Sequence, residues 1–104
     1  MDSFRELLGH ICLRPQLFVG VRNFALVAAY LDGYDHGCAR RGESAEAELR
    51  QLGAWLSRRF GLPGMFNWSR NLLRHCDEDP ELAFKRLVPL YDEFVAERGE
   101  KREV

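Results

Sequence analysis

The stretch Asn23 to Arg41, NFALVAAYLDGYDHGCARR, decides the fold class. Its apolar residues Phe24, Val27, Ala28, Leu31, Tyr34 and Cys38 recur at steps of three and four, which sets them on one helix face. Asn23 stands where a side-chain oxygen caps the first turn, and Gly42 supplies a stop. Asp32 and Asp35 fall beside the apolar stripe. Gly33 and Gly37 each cost the helix about 1 kcal/mol relative to alanine, so their presence predicts a close approach to the helix backbone.

The same periodicity continues on both sides. Ser3 and Glu6 match a capping box and predict a helix from Phe4 to Leu13, with Phe4, Leu7, Leu8 and Ile11 inward. Arg14-Pro15 ends it. PQLFVGV, from Pro15 to Val21, is too apolar for a solvated loop and predicts a buried connector with room for one helical turn. After Arg40-Arg41-Gly42-Glu43, Ser44 is placed to cap a helix from Ala45 to Phe60, with Leu49, Leu52, Leu56 and Phe60 buried and Trp55 on the flank. Glu46 and Arg50 form a favourable i,i+4 pair. Gly61 and Pro63 close this helix.

LPGMF is a second apolar connector. Asn67 caps a short helix from Trp68 to His75. Asp79-Pro80 then opens a last helix, with proline at the first position, where its missing N–H is harmless. Phe84, Leu87, Val88, Tyr91, Phe94 and Val95 face the core. Pro89 predicts a kink near Lys85 to Val88 or two abutting helices. Gly99 ends the element, and residues 99–104 form a charged, fraying tail. The expectation is one all-α domain over residues 1–104: a compact bundle of about five helices, the last kinked at Pro89.

A chain of 104 residues, 46% hydrophobic and 30% charged, is long enough for one core. Its net charge of -1 gives no electrostatic case for nucleic acid or an anionic membrane. No apolar run approaches the roughly 20 residues of a membrane span. The start MDSFRELLGH lacks the pattern of a signal peptide. Three cysteines cannot close a full set of bridges, so reduced thiols in the cytoplasm are the simpler reading.

No pattern carries catalytic or metal chemistry. His10 with Cys12, His36 with Cys38, and His75 next to Cys76 are one or two residues apart, so they point to different helix faces. Structural zinc sites use wider spacings. The chain is read as a non-enzyme without cofactor or metal. Arg40-Arg41, Arg58-Arg59 and the pair Arg70 and Arg74 could touch phosphates, but two of these sets lie in last turns, where cations oppose the helix dipole. They define the alternative class, a small helical DNA-binding or regulatory protein. The candidates for a protein partner are Tyr30, Asp32, Tyr34 and Asp35 on the central helix and the acidic turn Asp77, Glu78 and Asp79: aromatic anchors with steering charge.

Four stretches together carry a resemblance: RPQLFVG at Arg14 to Gly20, YLDGYDHG at Tyr30 to Gly37, FNWSRNLL at Phe66 to Leu73 and AFKRLVPLYDEF at Ala83 to Phe94. This layout resembles small bacterial proteins with an RPxxFxG turn, an LxGY helix, a Trp-containing helix and a closing DEF helix, associated with immunity proteins encoded beside polymorphic toxins. The resemblance implies a stoichiometric inhibitor that stays in the producing cell, binds a cognate toxin domain and needs no catalytic residue. Toxins that act on nucleic acids or nucleotides often have basic clefts, which would favour an acidic inhibitor face at Asp32, Asp35 and Asp77 to Asp79. A homodimer through an exposed part of the connector Leu17 to Val21 is a further assembly the sequence allows.

Overall fold

The computed structural model describes residues 3–40, 48–64 and 67–103, with side chains over 4–37, 48–64 and 67–98. It is all-α: α1 (Ser3–Leu13), α2 (Gln16–Val19), α3 (Phe24–Arg40), α4 (Glu48–Phe60), α5 (Trp68–His75) and α6 (Pro80–Glu103). The short α2 is the single turn within the Pro15–Val21 connector. The expected Ser44 cap, the first turn from Ala45, the Glu46–Arg50 pair and the Gly42 stop lie outside the described residues.

The local signals explain most boundaries. Asn23 caps α3 by accepting the Leu26 N–H at 3.0 Å. Asn67 caps α5 through the Arg70 N–H at 2.9 Å. Asp79 accepts the Glu81 N–H at 3.0 Å, ahead of Pro80. After α4, Gly61 takes a left-handed φ of 65°, and the Leu62 N–H returns to the Ser57 carbonyl at 3.0 Å. That six-to-one bond needs a residue free to adopt positive φ, the role glycine fills.

α6 faces most of the other helices, contacting α1, α3, α4 and α5. Phe84, Leu87, Leu90, Tyr91 and Phe94 meet Phe4, Leu8 and Ile11 of α1, Phe24, Val27 and Leu31 of α3, and the buried stripe Leu49, Leu52 and Leu56 of α4 in one core cluster. Trp55, expected on a flank, is 4% exposed. Its indole N–H reaches Glu97 at 3.0 Å, so its polar edge is satisfied within the fold.

Three expectations are corrected. The last helix does not stop at Gly99 but runs to Glu103, and it is one element through Pro89, not two abutting helices. Pro89 lies on the exposed side, as does Lys85, whose carbonyl would otherwise accept the N–H that proline lacks. The connector is only partly buried: Pro15 is inside, Phe18 and Val19 are half-buried, while Leu17 and Val21 are exposed. The close backbone approach is at Gly53, not Gly33. A Cβ on Gly53 would lie 3.2 Å from the Trp68 nitrogen, whereas one on Gly33 would meet nothing within 4 Å.

Candidate functional site

α4 and α5 pack against each other at Gly53, where the missing side chain lets the Trp68 backbone close in. This sets the indole of Trp68 beside the middle of α3. Its Nε1–H donates to the Asp32 carboxylate at 2.7 Å. The result is a groove of about 480 Å³, lined by Asp32, Asp35 and His36 of α3, Arg50 of α4, and Asn67 and Trp68 at the start of α5. A shallower hollow of about 360 Å³ lies along Ala25, Ala29, Asn67 and Arg70, and Asp32 borders both.

The two central aspartates do different work. Asp35 is 4% exposed. Its carboxylate oxygens accept the backbone N–H groups of Glu48 and Leu49, each at 3.1 Å. It caps α4 from another helix, with its negative charge at the positive end of the helix dipole. This corrects its reading as a partner contact: it is spent inside the fold. Asp32 lies on the exposed side of α3. Partial burial of its carboxyl pushes its pKa above the ordinary carboxylate value; the Trp68 hydrogen bond opposes this and the Asp35 charge adds to it. One Asp32 oxygen takes the indole N–H. The other has no partner among the described residues.

The tyrosines divide in the same way. Tyr30 is 41% exposed, with the Phe18 ring edge-on at 5.8 Å. Tyr34 is half-buried and stacks on Phe4 at 6.0 Å, which makes it a packing residue. The acidic turn stands apart from the groove's lining. Asp77 and Glu78 both take left-handed backbone, with φ of 57° and 63°. Glu78 is bound to Arg70 at 2.6 Å, and Asp79 is the α6 cap. Of the turn, Asp77 keeps an exposed carboxylate without an assigned structural task. The residues proposed for a partner therefore do not form one face.

The arginines are largely engaged. Arg22 binds Glu81 at 2.9 Å and lies over the Phe84 ring at 4.7 Å. Arg59 pairs with Glu93 at 3.7 Å, and Arg98 binds Glu48 at 2.8 Å. Arg40 and Arg41 have no described side chains. His75 stacks on Phe60 with centroids 3.9 Å apart, while Cys76 is buried. Among the described residues, no three His, Cys, Asp or Glu side chains converge as a metal ion requires.

Sequence reasoning missed Trp68, Gly53 and Arg50 as parts of the groove. Trp68 entered the sequence reading only as the first residue of α5; it is buried, and its N–H edge reaches Asp32. No periodic signal reports a hydrogen bond 36 residues long in sequence. Comparison of the chain with protein-family models, curated proteins and solved structures gives no match.

Proposed function

We propose that this chain is an immunity-type protein, which binds a cognate bacterial toxin domain and neutralises it as a stoichiometric inhibitor in the cytoplasm of the producing cell. The observation that supports this reading best is Asp32. One of its carboxylate oxygens has no partner among the described residues, the residue lines a groove, and burial already disfavours its charge. A basic side chain from a toxin cleft would relieve that penalty and gain a charge-assisted bond. Tyr30, exposed two residues away, offers an aromatic anchor of the kind that carries binding energy at interfaces. No described helix is long and apolar enough to cross a membrane, which is compatible with such a setting. Of the arginines that define the DNA-binding alternative, Arg59 and Arg70 are already paired with Glu93 and Glu78, which leaves that alternative less to draw on.

The test is capture of partners on the tagged chain in its native host, read by mass spectrometry. One stoichiometric partner carrying a toxin-like C-terminal domain is expected. Asp32→Arg should lose that partner, while Lys85→Glu, on α6, should keep it. Recovery of nucleic acid without a protein partner would overturn the reading.

A further inference from the structure

The groove between α3, α4 and α5 is not uniformly acidic. Asp35 has both carboxylate oxygens on the Glu48 and Leu49 N–H groups. Asp32 has one oxygen on the Trp68 indole and one left over. On the α4 side the groove is lined by Arg50. Arg50 is exposed and, unlike Arg59, Arg70 and Arg98, has no carboxylate within ion-pair distance among the described residues. The acid closest to it in sequence, Glu48, is committed elsewhere. Its two oxygens accept the Tyr91 hydroxyl at 3.0 Å and an Arg98 guanidinium N–H at 2.8 Å. The rest of the α4 lining is small or apolar, Leu49, Gly53 and Ala54, so no other charge of α4 competes with Arg50 there. The groove thus holds two unspent charges of opposite sign, supplied by different helices.

We propose that the toxin element entering this groove carries both charges, a basic side chain for Asp32 and an acidic one for Arg50. This rests on the inhibitor reading and narrows it. A toxin surface of basic residues alone meets Arg50 as a like charge, and such juxtapositions are what exclude wrong partners from an interface. An acid of the partner placed on Arg50 turns that repulsion into a charge-assisted bond. The guanidinium suits the task, because its parallel N–H donors match the two oxygens of a carboxylate. Asp32 differs: with one oxygen held by the indole, it has room for a single donor. Opposite charges on two helices also fix the direction in which the partner's element lies, since turning it round brings like charges together at both ends. The groove's volume of about 480 Å³ is that of an ordinary ligand pocket, so it takes a few side chains of the partner and not a whole helix.

The test uses the protein recovered with the tagged wild-type chain from its native host. Arg50→Lys keeps the positive charge and adds an amine, so a water-soluble carbodiimide joins position 50 to a carboxylate that touches it. Mass spectrometry of the treated complex should find position 50 joined to an aspartate or glutamate of the partner. Arg50→Glu should lower recovery of the partner about tenfold or more. Arg58→Glu, the same change on the same helix but outside the groove's lining, should leave recovery unchanged. Arg50→Gln should fall between the two. Thermal unfolding of each variant alone should stay close to the wild type, because Arg50 is exposed and holds no carboxylate among the described residues. A complex that survives Arg50→Glu, or a position 50 joined only to its own chain, would overturn the proposal and leave the inhibitor reading standing. If no protein is recovered with the wild type, both fall.

Discussion

The indole N–H of Trp68 and the carboxylate of Asp32 are joined by a 2.7 Å hydrogen bond that ties the start of α5 to the middle of α3. Removing the donor while keeping an aromatic ring, as in Trp68→Phe, should destabilise the protein by about 2 kcal/mol, part of it from lost volume. Urea unfolding measures this. A change below a few tenths of a kcal/mol would show that the bond is not maintained in solution.

The same carboxyl sets a pH signature. Asp32 has its folded pKa raised above the ordinary carboxylate value, chiefly by burial. The folded state therefore holds the Asp32 proton more firmly than the unfolded chain does. Its contribution is full below the unfolded pKa and is lost as pH rises through the folded value. Asp32→Asn keeps an acceptor for the indole and removes the charge. Relative to the wild type, this variant should gain stability on going from pH 3 to pH 7, as followed by thermal unfolding across that range. A difference that stays flat over the window would refute the burial argument.

Asp35 should behave as a structural residue. Asp35→Ala removes a buried cap from two N–H groups at once, for an expected loss of about 2–3 kcal/mol. If the variant unfolds at the same denaturant concentration as the wild type, the capping role is wrong.

Two glycines of similar sequence context should respond in opposite directions. Gly33→Ala places a methyl in open space and should stabilise the protein by up to about 1 kcal/mol through helix propensity. Gly53→Ala drives a methyl against the Trp68 backbone and should destabilise by about 1–3 kcal/mol despite the same propensity gain. Thermal unfolding of both variants side by side decides the matter.

This pair shows where sequence reasoning ran out. Periodicity located α1, α3, α4, α5 and α6, because a buried face leaves its trace at every third or fourth residue. Caps at Asn23, Asn67 and Asp79 were legible because the capping oxygen is two or three residues from its donor. The close approach was expected at Gly33 and Gly37; Gly33 has none and Gly53 has one, since helix propensity penalises Gly33 and Gly53 alike and only tertiary packing separates them. Asp35 was misjudged for the same reason: its donors lie 13 and 14 residues away in sequence. The left-handed turn at Asp77 and Glu78 had no signal at all, because neither residue is a glycine.

The thiols offer a chemical check. Burial pushes the Cys12 pKa up to about 11, with Arg22 and Arg5 opposing it. Cys76 is likewise raised, mainly by burial. Both should react slowly with a thiol reagent at neutral pH and at ordinary rates in denaturant, because the thiolate is the nucleophile. The sign for stability follows from the same shift. The folded state resists deprotonation, so this contribution is lost as pH rises from about 9 toward 11. Rapid labelling of Cys12 in the native protein at pH 7 would contradict the packing around it.

α6 carries one more consequence. It closes the core over α1, α3, α4 and α5, and ion pairs such as Arg5–Asp92 and Arg98–Glu48 reach it from 87 and 50 residues upstream. It is also made after the four helices that it covers. A nascent chain that stops short of Pro80 leaves the inward faces of α1 and α3 without the helix they pack against, so folding waits until α6 has been made. On the inhibitor reading proposed above, the interval between translation and protection would include the synthesis of α6.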